Sequence, residues 1–149
     1  MILVNATESE KCLIADDPVR PELDYDFRVG PNKDFFVYMN EFTGGVASAI
    51  CVSYNDFVPK TVKELKYYPD NLDPPSVAVF YTVWSYEKGS GREIVFKAVE
   101  RIKEEKPFVL RFVTLSPKTR MAERFHLRNG AILLSENDES NNFEYRNLR

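Results

Sequence analysis

The sequence predicts an α/β (α+β) fold: a mixed, mostly antiparallel sheet with a central parallel βαβ unit and flanking helices. Three observations lead there. The β-branched and aromatic run from Val77 to Trp84 meets a glycine-containing turn, Glu87 to Gly91, and then the apolar period changes to that of a helix. A further β run, Phe108 to Leu115, follows that helix, and strand, helix, strand in this order is a parallel unit. Upstream, Phe35 to Asn40 and Val46 to Tyr54 flank a turn at Glu41 to Gly45, the pattern of an antiparallel hairpin.

Each element has a local reason. Ile2 to Val4 is apolar and short, enough for a first strand. Thr7 and Glu10 have the spacing of a capping box, which predicts a short helix through Ile14. Asp16 to Pro31 carries three prolines and a glycine among charges and reads as loop. In the return strand, Val46, Ser48, Ile50, Val52 and Tyr54 should face one way and Ala47, Ala49 and Cys51 the other. Both faces are then fairly apolar, as in a central strand covered on both sides. Pro59 to Leu65 is expected to form a short helix and Tyr67 to Pro75 a loop.

Between Arg92 and Glu105, Ile94, Ala98 and Ile102 fall on one helical face with Val95 and Val99 beside them. The charges from Lys97 to Lys106 cover the rest as a solvated face. Ser116 before Pro117 reads as an N-cap with proline at the first helical position. Met121, Ala122 and Phe125 would give that helix its apolar stripe, and Asn129-Gly130 its stop. Ala131 to Leu134 and Phe143 to Tyr145 would be closing strands, joined by a polar loop from Ser135 to Asn142.

Composition narrows the function. The 149 residues fit one domain, 1–149, and neither repeats nor a second domain are visible. The formal charge of -3, with both signs scattered, argues against a general nucleic-acid binder. No apolar run approaches the ~20 residues of a membrane span, and Met1 to Val4 is too short for a signal peptide. Cys12 and Cys51 make no metal-ligand spacing; the simple reading is two reduced, buried thiols in a reducing compartment, with a disulfide left open. A cytoplasmic protein follows. With one histidine and two distant cysteines, no metal site is expected.

Three places could carry chemistry. In Tyr86-Glu87-Lys88-Gly89-Ser90-Gly91-Arg92, the glycines allow close backbone approach, and the first amides of the next helix suit a pyrophosphate, with Lys88 and Arg92 adding charge. An ordinary strand-to-helix turn would look the same, and no third glycine completes a dinucleotide fingerprint. His126, the one histidine, has the ordinary pKa best suited to acid–base work near neutrality, although packed histidines are commonplace. Ser116 is explained by capping alone, and no G-x-S-x-G elbow surrounds it.

Taken in order, these segments resemble the GNAT acyltransferase superfamily. Gly89 and Gly91 match the glycines of its Q/R-x-x-G-x-G/A pyrophosphate loop, with Tyr86 replacing Gln or Arg. The later helix is similar to the N-x-x-A-x-x-x-Y helix: Ala122 keeps the alanine, Thr119 takes the asparagine position, and His126 falls where the tyrosine acid sits. The chain is more specifically similar to the catalytic domain of malonyl-CoA decarboxylase, a divergent GNAT relative. Phe80-Tyr81-Thr82-Val83 resembles its F-Y-S-I strand. Glu105-Lys106-Pro107 with Phe112 to Pro117 resembles its E-x-P and F-x-T-L-S-P run. Phe125-His126-Leu127-Arg128-Asn129-Gly130-Ala131 is nearly its F-H-L-x-N-G-A segment. Asp17-Pro18-Val19-Arg20 is similar to an H-P-I-R-like stretch. That family's N-terminal helical domain has no counterpart here, and its long insertion between the last two motifs is reduced to Lys118 through Arg124.

The resemblance implies a coenzyme A thioester as substrate, malonyl-CoA or acetyl-CoA, and Ser116 with His126 as the catalytic pair. Malonyl-CoA would lose CO2, leaving an enolate. Backbone amides on Tyr81, Thr82, Val83 and Trp84 would steady its oxygen, His126 would protonate its carbon, and Ser116 would orient the departing carboxylate. Tyr81, Thr82, Val83, Tyr86, Lys88, Gly89, Ser90, Gly91, Arg92 and Thr119 are the expected CoA-binding positions. A helix running straight from Pro117 would hold Ser116 roughly 15 Å from His126, so the pair needs a backbone loop before helix entry. Two alternatives stay open: a GNAT N-acyltransferase with His126 as acid, for which Val77 to Trp84 offers no carboxylate base, and a non-enzymatic acyl-CoA module. Pairing into a homodimer is also open.

Overall fold

In the computed structural model, which describes residues 1–66, 74–146 and 148, the β-branched runs pair into one sheet. Its strands are β1 (Ile2–Asn5), β2 (Lys33–Met39), β3 (Val46–Asn55), β4 (Val77–Ser85), β5 (Arg111–Thr114), β6 (Ser116–Pro117), β7 (Ile132–Glu136) and β8 (Ser140–Tyr145). The order is β1-β2-β3-β4-β5-β8-β6, with β7 also on β8. Among the described strands only β4 and β5 pair in parallel, because the helix α2 (Ser90–Glu105) carries the chain back between them. The mixed, mostly antiparallel sheet with a central βαβ unit is therefore present. Of the loop expected from Tyr67 to Pro75, residues 67–73 lie outside the described residues.

Both faces of the central strands are apolar because both are covered. On one face Phe36, Ile50, Val52 and Phe80 pack under Ile94, Val95, Ala98 and Ile102 of α2. On the other, Phe35, Val37, Cys51, Val79 and Trp84 lie beneath the N-terminal segment with Ile14 and Leu23. Each fully buried Ile or Val of the α2 stripe is worth about 1.5–3 kcal/mol against exposure to water.

Two bulges break the alternation that the sequence predicts. Tyr38 pairs with Ser48 and Met39 with Val46, so Ala47 is unopposed. Ala47 consequently joins Ile50 and Val52 on the α2 face, and Val46 turns to the other, the reverse of the expected facing. In β4, Thr82 pairs with Cys51 and Phe80 with Val52, leaving Tyr81 unopposed. Beyond that point β4 and β5 part: their pairing stops at Phe80 and Thr114, while β4 runs on to Ser85 against β3 alone.

Elsewhere the structure adjusts the elements. The capping box of Thr7 and Glu10 forms, but it opens a 3-10 helix, Glu8–Asp16. The expected loop from Asp16 to Pro31 contains a short helix, α1 (Tyr25–Arg28), capped by Asp24. The helix expected over Pro59 to Leu65 is a single 3-10 turn, Lys63–Lys66. Helix α2 begins at Ser90, two residues before Arg92. Strands β7 and β8 extend into the expected polar loop, leaving only residues 137–139. Its Asn142 is buried, and the side-chain amide donates to the carbonyls of Pro59 and Thr114, both at 2.8 Å. Both cysteines are free; Cys51 is buried, whereas Cys12 is exposed, contrary to the expectation that both would be packed. No helix among the described residues is long and apolar enough to cross a membrane.

Candidate functional site

The parting of β4 and β5 opens a cleft of about 860 Å³. One wall is the end of β4, Phe80 to Ser85, and the opposite wall is Leu115 to Pro117 with the helix α3 (Arg120–Arg128). Asp16, Pro18 and Val19 form its lip. Because β4 has lost its partner on the β5 side, the edge from Thr82 onward offers unpaired backbone groups to whatever enters. Among the described lining residues there is no lysine or arginine, and Asp16 supplies the one carboxylate.

Ser116 does not cap a helix. It lies in β6, opposite Asn141 of β8, and Thr119 caps α3 by accepting the amide hydrogen of Ala122 at 3.2 Å. An extended segment thus precedes the helix, in place of a helix running straight from Pro117. Both side chains line the cleft, but each has its own partner. The Ser116 hydroxyl is 2.8 Å from that of Thr114, which also accepts the Phe143 amide at 3.0 Å.

His126 is the one fully packed side chain of α3. Its ring lies 5.4 Å from that of Phe143, and its Nδ1 is 2.8 Å from the Tyr145 hydroxyl. Burial pulls the imidazole down to about 4 and pushes the Tyr145 phenol up to about 12. At pH 7 the pair is therefore a neutral imidazole beside a protonated phenol. When Tyr145 donates to Nδ1, Nε2 carries the remaining ring hydrogen and has no partner among the described residues.

Of the positions expected to bind CoA, Tyr81, Thr82, Val83, Tyr86, Gly91 and Thr119 line the cleft. Lys88, Gly89, Ser90 and Arg92 do not. Gly89 takes φ +86 as the residue before α2, a left-handed conformation that suits glycine. The Ser90 hydroxyl is spent on the carbonyls of Ala47 and Glu87, at 2.8 and 2.7 Å. Arg92 donates to Asn129 Oδ1 at 3.2 Å and lies over Phe96, so it ties α2 to the end of α3. Met121, expected on the buried stripe, is 82% exposed at the cleft mouth, because the short α3 has the cleft rather than core on that side.

The sequence reading missed the groups beneath the β4 wall. Asp17 Oδ1 accepts the amides of Val19 and Arg20 and the Thr82 hydroxyl, at 2.8, 3.0 and 2.7 Å. Asp17 Oδ2 pairs with Arg28 at 2.7 Å, both side chains fully buried. Arg28 also donates to the Leu23 and Arg20 carbonyls, and Arg20 reaches the Leu115 carbonyl at 3.3 Å. Residues 17–20 thus tie together the two strands that diverge around the cleft. Asp17 to Arg20 stood out in the sequence as a motif; Arg28, set in a charged loop-like stretch, carried no local mark. In the sequence Tyr145 marks a closing strand and nothing more.

The sequence matches no protein-family model, and no curated protein sequence matches it. Solved structures do. Malonyl-CoA decarboxylase from Rhodopseudomonas palustris superposes with a TM-score of 0.70 and 18% identity, over 97% of this chain and 59% of that one. The enzyme of the same name from Agrobacterium vitis gives 0.63 and 18%, over 78% and 33%. The Campylobacter jejuni N-acetyltransferase PseH gives 0.60 and 13%, over 98% and 97%. The chain thus spans about a third to three-fifths of the decarboxylases it matches, and nearly the whole of the N-acetyltransferase. A central βαβ unit, a sheet split beyond the β4 bulge and these superpositions identify the architecture: the chain has a GNAT-like fold, similar to the malonyl-CoA decarboxylase and GNAT acetyltransferase structures.

Proposed function

We propose that the cleft between β4 and β5 binds an acyl-CoA thioester and that the protein decarboxylates malonyl-CoA, or a related acyl-CoA, to acetyl-CoA and CO2. The observation that carries this reading is that β6 and the Thr119 cap bring Ser116 and His126 to one cleft. The thioester lies along the open edge of β4. Loss of CO2 breaks the bond between the carboxyl carbon and the α-carbon, and the electron pair passes to the thioester oxygen. Amides from Tyr81 to Trp84 receive that oxyanion. Nε2–H of His126 then protonates the α-carbon while Tyr145 hands its proton to Nδ1; solvent afterwards reprotonates Nε2 as Nδ1 returns its proton to the phenolate oxygen. Ser116 holds the carboxylate before it leaves.

The lining supports loss of CO2 over transfer. With no lysine or arginine among the described lining residues, a carboxylate in this apolar cleft is poorly solvated, and decarboxylation moves its charge to the amide-lined edge. An N-acyltransferase would need a base for its amine, and the lip carboxylate of Asp16 already accepts the Tyr86 hydroxyl at 2.7 Å. The likeness to an N-acetyltransferase over nearly its full length is the observation that favours the second reading.

Purified protein is incubated separately with malonyl-CoA and acetyl-CoA, and products are followed by mass spectrometry. The expected result is acetyl-CoA from malonyl-CoA, with His126→Ala slowed by about 10²-fold or more and Ser116→Ala also impaired. Binding of both thioesters with neither consumed sinks the decarboxylase. Acetyl-CoA consumption that depends on an added amine establishes the transferase instead.

A further inference from the structure

Helix α3 carries a second feature that the chemistry above leaves unused. Arg120, Arg124 and Arg128 recur at every fourth residue and therefore stand above one another on one face. All three are exposed, and none has a hydrogen-bond or ion-pair partner among the described residues. Like charges at this spacing weaken a helix rather than support it. A column of three in a chain of net charge -3 suits an anion from outside.

The column is not isolated from the cleft. With Met121 and Phe125 the three arginines line a groove of about 380 Å³, and those same two apolar residues also line the cleft. The Phe125 ring lies 3.4 Å from where a Cβ on Gly91 would stand, so the first turn of α2 is directly across. A ligand that fills the cleft and leaves past Phe125 arrives at the arginines.

We propose that Arg120, Arg124 and Arg128 bind the 3′-phosphate at the nucleotide end of the acyl-CoA, an inference that rests on the acyl-CoA reading above. Among the described lining residues the cleft offers no lysine or arginine for any phosphate of the ligand. The 3′-phosphate is a monoester with three terminal acceptor oxygens, and guanidinium forks bind such oxygens in pairs. Arg92, the nearest arginine on α2, is committed to Asn129 and Phe96.

The test is calorimetric titration of the full chain with CoA, 3′-dephospho-CoA and pantetheine. The variants are the triple Arg120→Ala, Arg124→Ala, Arg128→Ala and the corresponding triple lysine variant. Wild type should bind CoA about tenfold more tightly than dephospho-CoA, as a few exposed charge-assisted contacts would give. The alanine triple should lose that preference and leave dephospho-CoA binding unchanged; the lysine triple should keep part of it. Equal affinity of wild type for CoA and dephospho-CoA, or a preference that survives the alanine triple, overturns the assignment while leaving the cleft reading intact. Failure of all three ligands to bind wild type overturns both. Because the three side chains are exposed, circular dichroism of the alanine triple should match wild type.

Discussion

The two walls of the cleft are held by opposite means. The β4 wall rests on a fully buried ion pair, Asp17 with Arg28, whose carboxylate also grips Thr82 and the backbone of residues 19 and 20. The α3 wall rests on His126, its one buried side chain, held by the Tyr145 hydroxyl and by aromatic rings, with arginines outward. The cleft divides its work between them. The wall that offers backbone groups is fixed from beneath by a polar network centred on the Asp17 carboxylate. The wall that offers the imidazole is a short helix anchored at its N-cap and through the ring that would perform the chemistry.

The sharpest way to break this contrast is Asp17→Ala. It leaves the Arg28 guanidinium buried without its counter-charge, which should cost about 3–5 kcal/mol. Urea denaturation measures this directly, and adding Arg28→Met should restore much of the loss. A cost below about 1 kcal/mol would mean that the ion pair does not hold the wall.

The next largest effect belongs to the other wall and depends on pH. Burial lowers His126 to about 4 in the folded chain, against about 6.5 when unfolded. Between those values the unfolded state binds the extra proton. The contribution is therefore complete above pH 6.5 and is lost as pH falls towards 4, about 3 kcal/mol in all. Stability measured against pH should show this slope, and His126→Gln should flatten it. A slope that persists in the variant would place the titration on another group.

The smallest effect is at the helix entry. Thr119→Ala removes the side-chain acceptor for the Ala122 amide and should cost about 1 kcal/mol by thermal unfolding. Ser116→Ala should leave that cap intact. If Ser116→Ala gave the cap-like loss and Thr119→Ala none, the helix would start where the sequence alone suggested.

Much of this architecture was legible before any fold was known, because it is written in short-range patterns. The period change after Gly91 marked the α2 stripe of Ile94, Ala98 and Ile102, and those residues do cover one face of the sheet. The hairpin and the Thr7 capping box were equally local. The facing of Val46 and Ala47 was not, because a bulge depends on how the partner strand is registered. Ser116 was misassigned for a related reason: a serine before proline looks like a cap until β8 supplies a strand to pair with it.

Local pattern alone was enough for the central strands, the crossover helix and the residue types able to act. Which of them meet depends on long-range packing. The bond from Thr82 to Asp17 spans 65 positions and the bond from His126 to Tyr145 spans 19, distances over which no helical or strand period carries information. The burial that makes His126 a neutral imidazole is likewise set by Phe143 and Tyr145, which the chain brings to the helix from a separate strand, β8.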